Sequence, residues 1–278
     1  MKSEGYTKPI LKWAGGKRWL LPVLQHIWLS SYQKHKLIEP FAGGLAVSLG
    51  LNPQQAALND ANVHLINFYR QVSKGLQINI ELKNNADFYY AVRAEFNQLI
   101  LQRKHNTKRA AIWFYFLMRT GFNGLCRFNS VGEFNVPFGQ HNNIKYRADF
   151  FDYKQILRQW DFSHGDFNNV KRNGDEFLYA DPPYDVNFTR YSAKSFVWED
   201  QLRLAAWLLQ HDGPVIASNQ ATPRIKELYA DLKFKVYLLP APRMIACNGD
   251  RTPAMEILAV KNLSRENTTK LTASFGQV

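Results

Sequence analysis

The stretch that most constrains this chain is Asp181-Pro182-Pro183-Tyr184, directly behind the apolar run Phe177-Leu178-Tyr179-Ala180. A short block of aromatic and aliphatic residues, preceded by Asn173-Gly174-Asp175, predicts a buried strand. Two prolines stop it, because proline lacks a ladder donor and fixes its own φ. The expected product is a rigid elbow at a strand's carboxyl end, the edge where open α/β sheets bind ligands. It holds one carboxylate, carbonyls freed from pairing and one aromatic ring at fixed separations.

Those groups suit methyl transfer to an exocyclic amino group on a flat ring. Asp181 and the Pro182 carbonyl accept the two amine protons and draw the nitrogen lone pair out of conjugation, while Tyr184 stacks on the ring. Taken alone, the tetrapeptide reads equally well as a strand terminator with an exposed Asp and Tyr, since four residues recur by chance.

Earlier segments supply the rest of a cofactor pocket. Lys36 to Phe41 reads as a strand ending at Glu39-Pro40, and the glycines of Ala42-Gly43-Gly44-Leu45 let a cofactor lie against backbone at a helix start. The three-glycine spacing of a dinucleotide site is absent, so a cofactor with an adenosine and no pyrophosphate fits better than NAD. Glu39 offers a carboxylate to a cationic group on it. Ala56 to Asp60 is a second short strand, and an acid about 20 positions after a glycine turn is the usual ribose partner. Asp60 also precedes the helical run Val63, Ile66, Tyr69, Val72, so its other reading is a helix N-cap. Near the start, Lys12-Trp13-Ala14-Gly15-Gly16-Lys17 allows close backbone approach to an anion, or is an ordinary turn. Leu20 to Trp28 then repeats at helical spacing.

From Gly75 to about Phe150 the βα alternation lapses. Phe88, Val92, Phe96 and Leu99 share a helical face, and Ala110 to Met118 reads as a buried helix. A long loop follows, Gly121 to Gly139, built of glycines, aromatics, asparagines and Arg127. Arg127 suits a two-pronged contact with guanine, against the commoner surface salt bridge. Ser163 to Phe167, including Asp166, leads back to the elbow and is placed near the cofactor's base. Downstream, Asp185 to Phe196 is a polar loop able to cover the site, and Glu199 to Gln210 is a helix with Leu202, Ala206 and Leu209 inward. Val215 to Ser218 is a strand, and Lys235 to Leu239 with Met255 to Val260 form an antiparallel edge pair. The polar tail from Ser264 is expected to be mobile.

Charge and cysteine usage narrow the partners. With 35 Lys+Arg against 23 Asp+Glu the formal charge is +12, which favours a polyanion. The two cysteines, Cys126 and Cys247, provide neither a disulfide framework nor zinc spacing. Lys12, Lys17 and Arg18 interrupt every early apolar run, and no stretch reaches membrane-spanning length. The expectation is a cytoplasmic protein without membrane contact.

Together, LKWAGGK (Leu11 to Lys17), EPFAGG (Glu39 to Gly44), Asp60, NGLCRFN…GEFNVPFG (Asn123 to Gly139) and DPPY resemble the Dam-type DNA adenine-N6 methyltransferases. The resemblance implies an α/β chain with a Rossmann-like S-adenosylmethionine-dependent methyltransferase sheet and an inserted, mostly helical DNA-recognition domain. Residues 1–65 and 150–278 would form the catalytic domain and 66–149 the target-recognition domain. It implies S-adenosylmethionine contacts at Trp13, Lys17, Asp60 and Asp181, with Glu39 and the Phe41–Gly44 turn completing the pocket, and no metal. Asp181 and Tyr184 would hold a flipped adenine. Arg127 would read the guanine of GATC, with Leu125 and Pro137 at neighbouring bases and Phe122 and Asn123 stabilising the gap. Phe122 departs from the tyrosine of the best-known members, losing a phenolic hydrogen bond but keeping a stacking ring. Duplex DNA is the implied partner and a monomer the implied state, bacterial or phage-encoded. The alternatives are an inactive DNA-binding relative and an amino-methyltransferase for RNA or another substrate.

Overall fold

The computed structural model describes residues 6–185, 196–242, 254–275 and 277. The loop read as a cover over the site (its residues 186–195) and Cys247 lie outside the described residues. Seven strands form one sheet: β1 (Leu37–Glu39), β2 (Ala56–Asp60), β3 (Trp160–His164), β4 (Phe177–Ala180), β5 (Val215–Gln220), β6 (Lys235–Ala241) and β7 (Ala254–Lys261), in the order β3-β2-β1-β4-β5-β7-β6. The pairs from β3 to β5 are parallel, and β7 runs antiparallel to both β5 and β6. This is a doubly wound, Rossmann-like sheet with an antiparallel edge. The chain leaves β1 towards β2 and β3, then returns to β4 and continues the other way, so the order reverses between β1 and β4.

Side-chain alternation divides the core between the two faces. Leu37, Phe177, Tyr179 and Ile216 point to one, and Ile38, Leu178, Ala180 and Ala217 to the other. The first side holds α1 (Leu21–Ile27), α2 (Ala46–Leu51), α3 (Val63–Ser73), α4 (Ala86–Leu101), α5 (Lys108–Thr120), α6 (Phe151–Leu157) and α9 (Arg265–Phe275), with α5 packed on α3 and α4 on α5. α7 (Trp198–Leu209) and α8 (Pro223–Asp231) cover the second. α4 and α5 pack in the same core as the sheet, with Phe68 of α3 stacked on Tyr115 of α5 at 5.7 Å. Residue 65, where the sequence reading ends its first catalytic segment, lies inside α3.

Several elements differ from expectation. α7 buries Gln201, Leu204, Ala205, Trp207 and Leu208, whereas Leu202 and Leu209 are 42% and 36% exposed. A search for apolar anchors alone shifts the stripe, because the true one includes a glutamine. The tail is a helix, α9, with Asn267 and Leu271 buried. Asn267 accepts a hydrogen bond from Ser30 Oγ at 2.9 Å and donates to Ser31 Oγ at 3.1 Å. Its docking depends on polar contacts that hydropathy does not register. β3, absent from the sequence reading, pairs with β2 and has only Trp160 buried. The helix after β2 is capped by Asn62, which accepts from His64 N and Leu65 N, so Asp60 is not its N-cap.

A packed α9 predicts that Leu271→Ala costs about 2–5 kcal/mol in urea unfolding. A mobile tail would leave stability unchanged.

Candidate active site

Three neighbouring strands end on carboxylates: Glu39 closes β1, Asp60 closes β2, and Asp181 follows β4. Glu39 and Asp181 therefore flank the point where strand order reverses, the crevice in which such sheets bind ligands.

Glu39 is 3% exposed and accepts the Ser48 hydroxyl at 2.8 Å. Burial pushes its carboxyl up to about 8; the Ser48 bond opposes this, and the charge of Asp181 adds to it. Asp60 accepts the backbone N–H of Gly43 and of Asn62, both at 2.9 Å. Burial raises its pKa too, against these two donors. The bond to Gly43 fixes the glycine turn, whose carbonyl accepts the Tyr69 hydroxyl at 2.8 Å. Gly43 has φ +46°, and Trp13 lies against the turn. A Cβ on Gly44 would come within 2.8 Å of Trp13 Cβ, so glycine there is what admits the indole.

At the elbow, Asp181 Oδ1 accepts the Ser218 hydroxyl at 2.9 Å, and Ser218 is 2.9 Å from the Tyr179 hydroxyl. Asp181 Oδ2 lies 2.8 Å from Lys17 Nζ, an ammonium only 3% exposed that also donates to Gly15 O at 3.1 Å. Lys17 is 4.8 Å from the Tyr184 ring centroid and 3.9 Å from Glu256 Oε2. Tyr184 Oη and Glu256 Oε2 are buried near neighbours, and neither makes a hydrogen bond of good geometry among the described residues. Burial above all, then the charge of Asp181, raises the Tyr184 phenol far above its ordinary value. The elbow's backbone is braced from behind: Gln201 donates to Pro183 O at 2.9 Å and receives Asn219 Nδ2 at 3.0 Å. Pro182 is buried beside them.

Phe41 packs against Phe167 and Phe196, with ring centroids 5.7 and 5.6 Å apart. Asp166 stands at this rim, paired with Arg203 at 2.7 Å and accepting Asn168 N, which hold its pKa down despite some burial. Asn59 ties the turns together, donating to Pro40 O at 3.1 Å and Gly165 O at 3.0 Å.

The other expected residues form a separate cluster on the loop after α5. Phe122 is 47% exposed, Asn123 has φ +53°, and Phe122 N donates to Pro137 O at 2.9 Å. Leu125 and Arg127 are half-buried. The Arg127 guanidinium is held by Asn135, through Nε to Oδ1 at 2.7 Å and Nη2 to O at 3.2 Å, not by a salt bridge. The loop reaches the first cluster through Cys126, whose sulfur accepts Asn62 Nδ2 at 3.3 Å; burial pushes this thiol up to about 12. A cavity of about 470 Å³ lies away from both clusters, at the opposite edge of the sheet beside Leu209, Lys235 and Lys261.

Sequence reasoning brings Trp13, Lys17, Glu39, Phe41, Gly43, Asp60, Asp181, Pro182 and Tyr184 to this edge, as found. It misses Asn59, Gln201, Ser218, Asn219 and Glu256. Each is a polar residue interrupting an apolar pattern, as in Ile216-Ala217-Ser218-Asn219, and each is buried. That interruption is the available signal.

Sheet order, an acidic switch point and a proline-stopped elbow define a Rossmann-like fold with its acidic groups gathered at the carboxyl edge. The family model described as D12 class N6 adenine-specific DNA methyltransferase matches residues 13–245. The chain belongs to that family and is an adenine-specific DNA methyltransferase. It is 36% identical over 279 residues to the DNA N-6-adenine-methyltransferase of Escherichia phage P1, covering 92% of this chain but only 35% of that longer protein. It is 34% identical to the Type II methyltransferase M1.LlaDCHI of Lactococcus lactis subsp. cremoris, covering 87% of this chain and 90% of the relative. The DNA adenine methylase of Escherichia coli (strain K12) is 32% identical, with 91% and 95% covered.

Glu39 yields a pH prediction. With its pKa raised from 4.5 to about 8, the folded chain keeps a proton that the unfolded chain releases, so stability falls as pH rises through that window. Glu39→Gln removes this loss and keeps an acceptor for Ser48. Its melting temperature should exceed the parent's at about pH 9 and match it at about pH 5. Equal melting temperatures at the higher pH would contradict the buried, proton-holding carboxyl.

Proposed function

We propose that this enzyme transfers the methyl group of S-adenosylmethionine to the N6 amino group of adenine in duplex DNA, at GATC. The observation that carries the reading is the elbow itself, with Asp181 and Tyr184 beside Glu39 at the switch point. The donor set suits the cofactor: buried Glu39 faces a cationic group, Asp60 lies where ribose hydroxyls need an acceptor, and Trp13, Phe41 and the Gly43 turn supply flat walls. Asp166 sits at the rim for the adenine ring. When bound, the cofactor supplies an electrophilic methyl on a sulfonium. No metal enters this scheme.

The target adenine has to leave the stack, at a cost of a few kcal/mol. Stacking on Tyr184 offsets about 1–3 kcal/mol of that. Asp181 and the Pro182 carbonyl accept the amino protons and orient the nitrogen lone pair towards the methyl. Holding both partners in line is worth about 7–11 kcal/mol.

Residues 66–149 act as the target-recognition region. Arg127 exchanges its Asn135 contacts for guanine O6 and N7, Leu125 and Pro137 touch neighbouring bases, and Phe122 with Asn123 fills the gap left by the flipped base. The net charge of +12 favours the phosphate backbone. The protein works as a monomer, in the cytoplasm of a bacterium or of a phage-infected cell. Among the described residues no helix is long and apolar enough to cross a membrane.

Direct sequencing of unmethylated plasmid treated with protein and S-adenosylmethionine tests this reading. Methyladenine is expected at GATC alone, and Arg127→Ala should relax discrimination at the guanine by about 1–3 kcal/mol. Methyladenine in another sequence would reject the GATC assignment, and an unmodified plasmid would reject the donor and substrate together.

A further inference from the structure

Each oxygen of Asp181 already has a donor on it. Oδ1 takes the Ser218 hydroxyl and Oδ2 takes the Lys17 ammonium, at 2.9 and 2.8 Å. The same ammonium sits 4.8 Å from the Tyr184 ring centroid, over a ring that a flat base would use. Lys17 is 3% exposed, so it cannot be released into water where it stands; wherever it moves, another carboxylate has to meet it. One is in reach. Glu256, on β7, places Oε2 3.9 Å from Lys17 Nζ, buried and without a hydrogen-bond partner among the described residues. The unpartnered Tyr184 hydroxyl lies on the same side.

We propose that Lys17 is a movable plug of the base pocket, held on Asp181 while the pocket is free and handed to Glu256 when the target amino group takes its place on Asp181. Glu256 is then a positioning residue. It acts through Lys17 and does not touch the base. The exchange keeps one ammonium–carboxylate contact in both states, so no buried charge is stranded. Asp181 keeps a hydrogen-bond donor in each state. Lys17 serves first and the amino group second. The inference rests on the assignment of Asp181 and Tyr184 to the target base.

A double-mutant cycle read by base flipping tests it, using a duplex with 2,6-diaminopurine, a fluorescent base that keeps the 6-amino group, in place of the target adenine. Glu256→Gln keeps the side chain's shape and removes the charge that receives Lys17. The apparent affinity in the fluorescence rise should fall about tenfold, within the usual coupling between contacting residues. Lys17→Met removes the plug, and in that background Glu256→Gln should have no further effect. An equal loss in both backgrounds, as general destabilisation would give, overturns the plug, and so does no loss in either. A wild-type protein that gives no fluorescence rise overturns the base-pocket assignment beneath it.

Discussion

Carboxylates are costly to take out of water, and the carboxyl edge of this sheet gathers Glu39, Asp60, Asp181 and Glu256, the last two beside the Lys17 ammonium. The surrounding architecture answers that cost. Ser48 donates to Glu39, Ser218 to Asp181, and the amides of Gly43 and Asn62 to Asp60. Breaking the Lys17–Asp181 pair without replacing a partner would cost about 3–5 kcal/mol, the usual penalty for a stranded buried charge. The β1–α2 turn, the N-terminal segment and the elbow are thus held together by one electrostatic requirement.

That requirement links the two halves of the enzyme. Asp60 fixes the Gly43 turn and, through Asn62 N, the start of α3. Asn62 in turn caps α3 and donates to Cys126 in the loop after α5. Phe128 of that loop stacks on His64 at 5.0 Å, and burial lowers the His64 pKa to about 4, so the ring stays neutral there at ordinary pH. A continuous set of hydrogen bonds and ring contacts joins the Gly43 turn to the loop after α5.

Much of the site is legible in the sequence because it is local. Each of Glu39, Asp60 and Asp181 ends or follows an apolar strand, and a strand's end is fixed by its own prolines and glycines. Parallel strand order then places those ends side by side without further information. The braces are not local. Gln201 reaches Pro183, and Ser218 reaches Asp181, across 18 and 37 residues of sequence. Glu256 meets Lys17 from the far end of the chain, so no spacing rule finds it. The same logic explains α7 and α9: Gln201 and Asn267 are buried through specific hydrogen bonds, and a reading that equates burial with hydrophobicity puts them outside.

The central claim is that the Asp181 carboxylate performs its part at the transferring nitrogen and not in binding the duplex. Single-turnover methyl transfer by Asp181→Ala, measured beside its duplex affinity, tests that most directly. The account predicts that transfer is abolished while duplex binding survives, because the recognition loop is a separate cluster. Full transfer by the variant would contradict it.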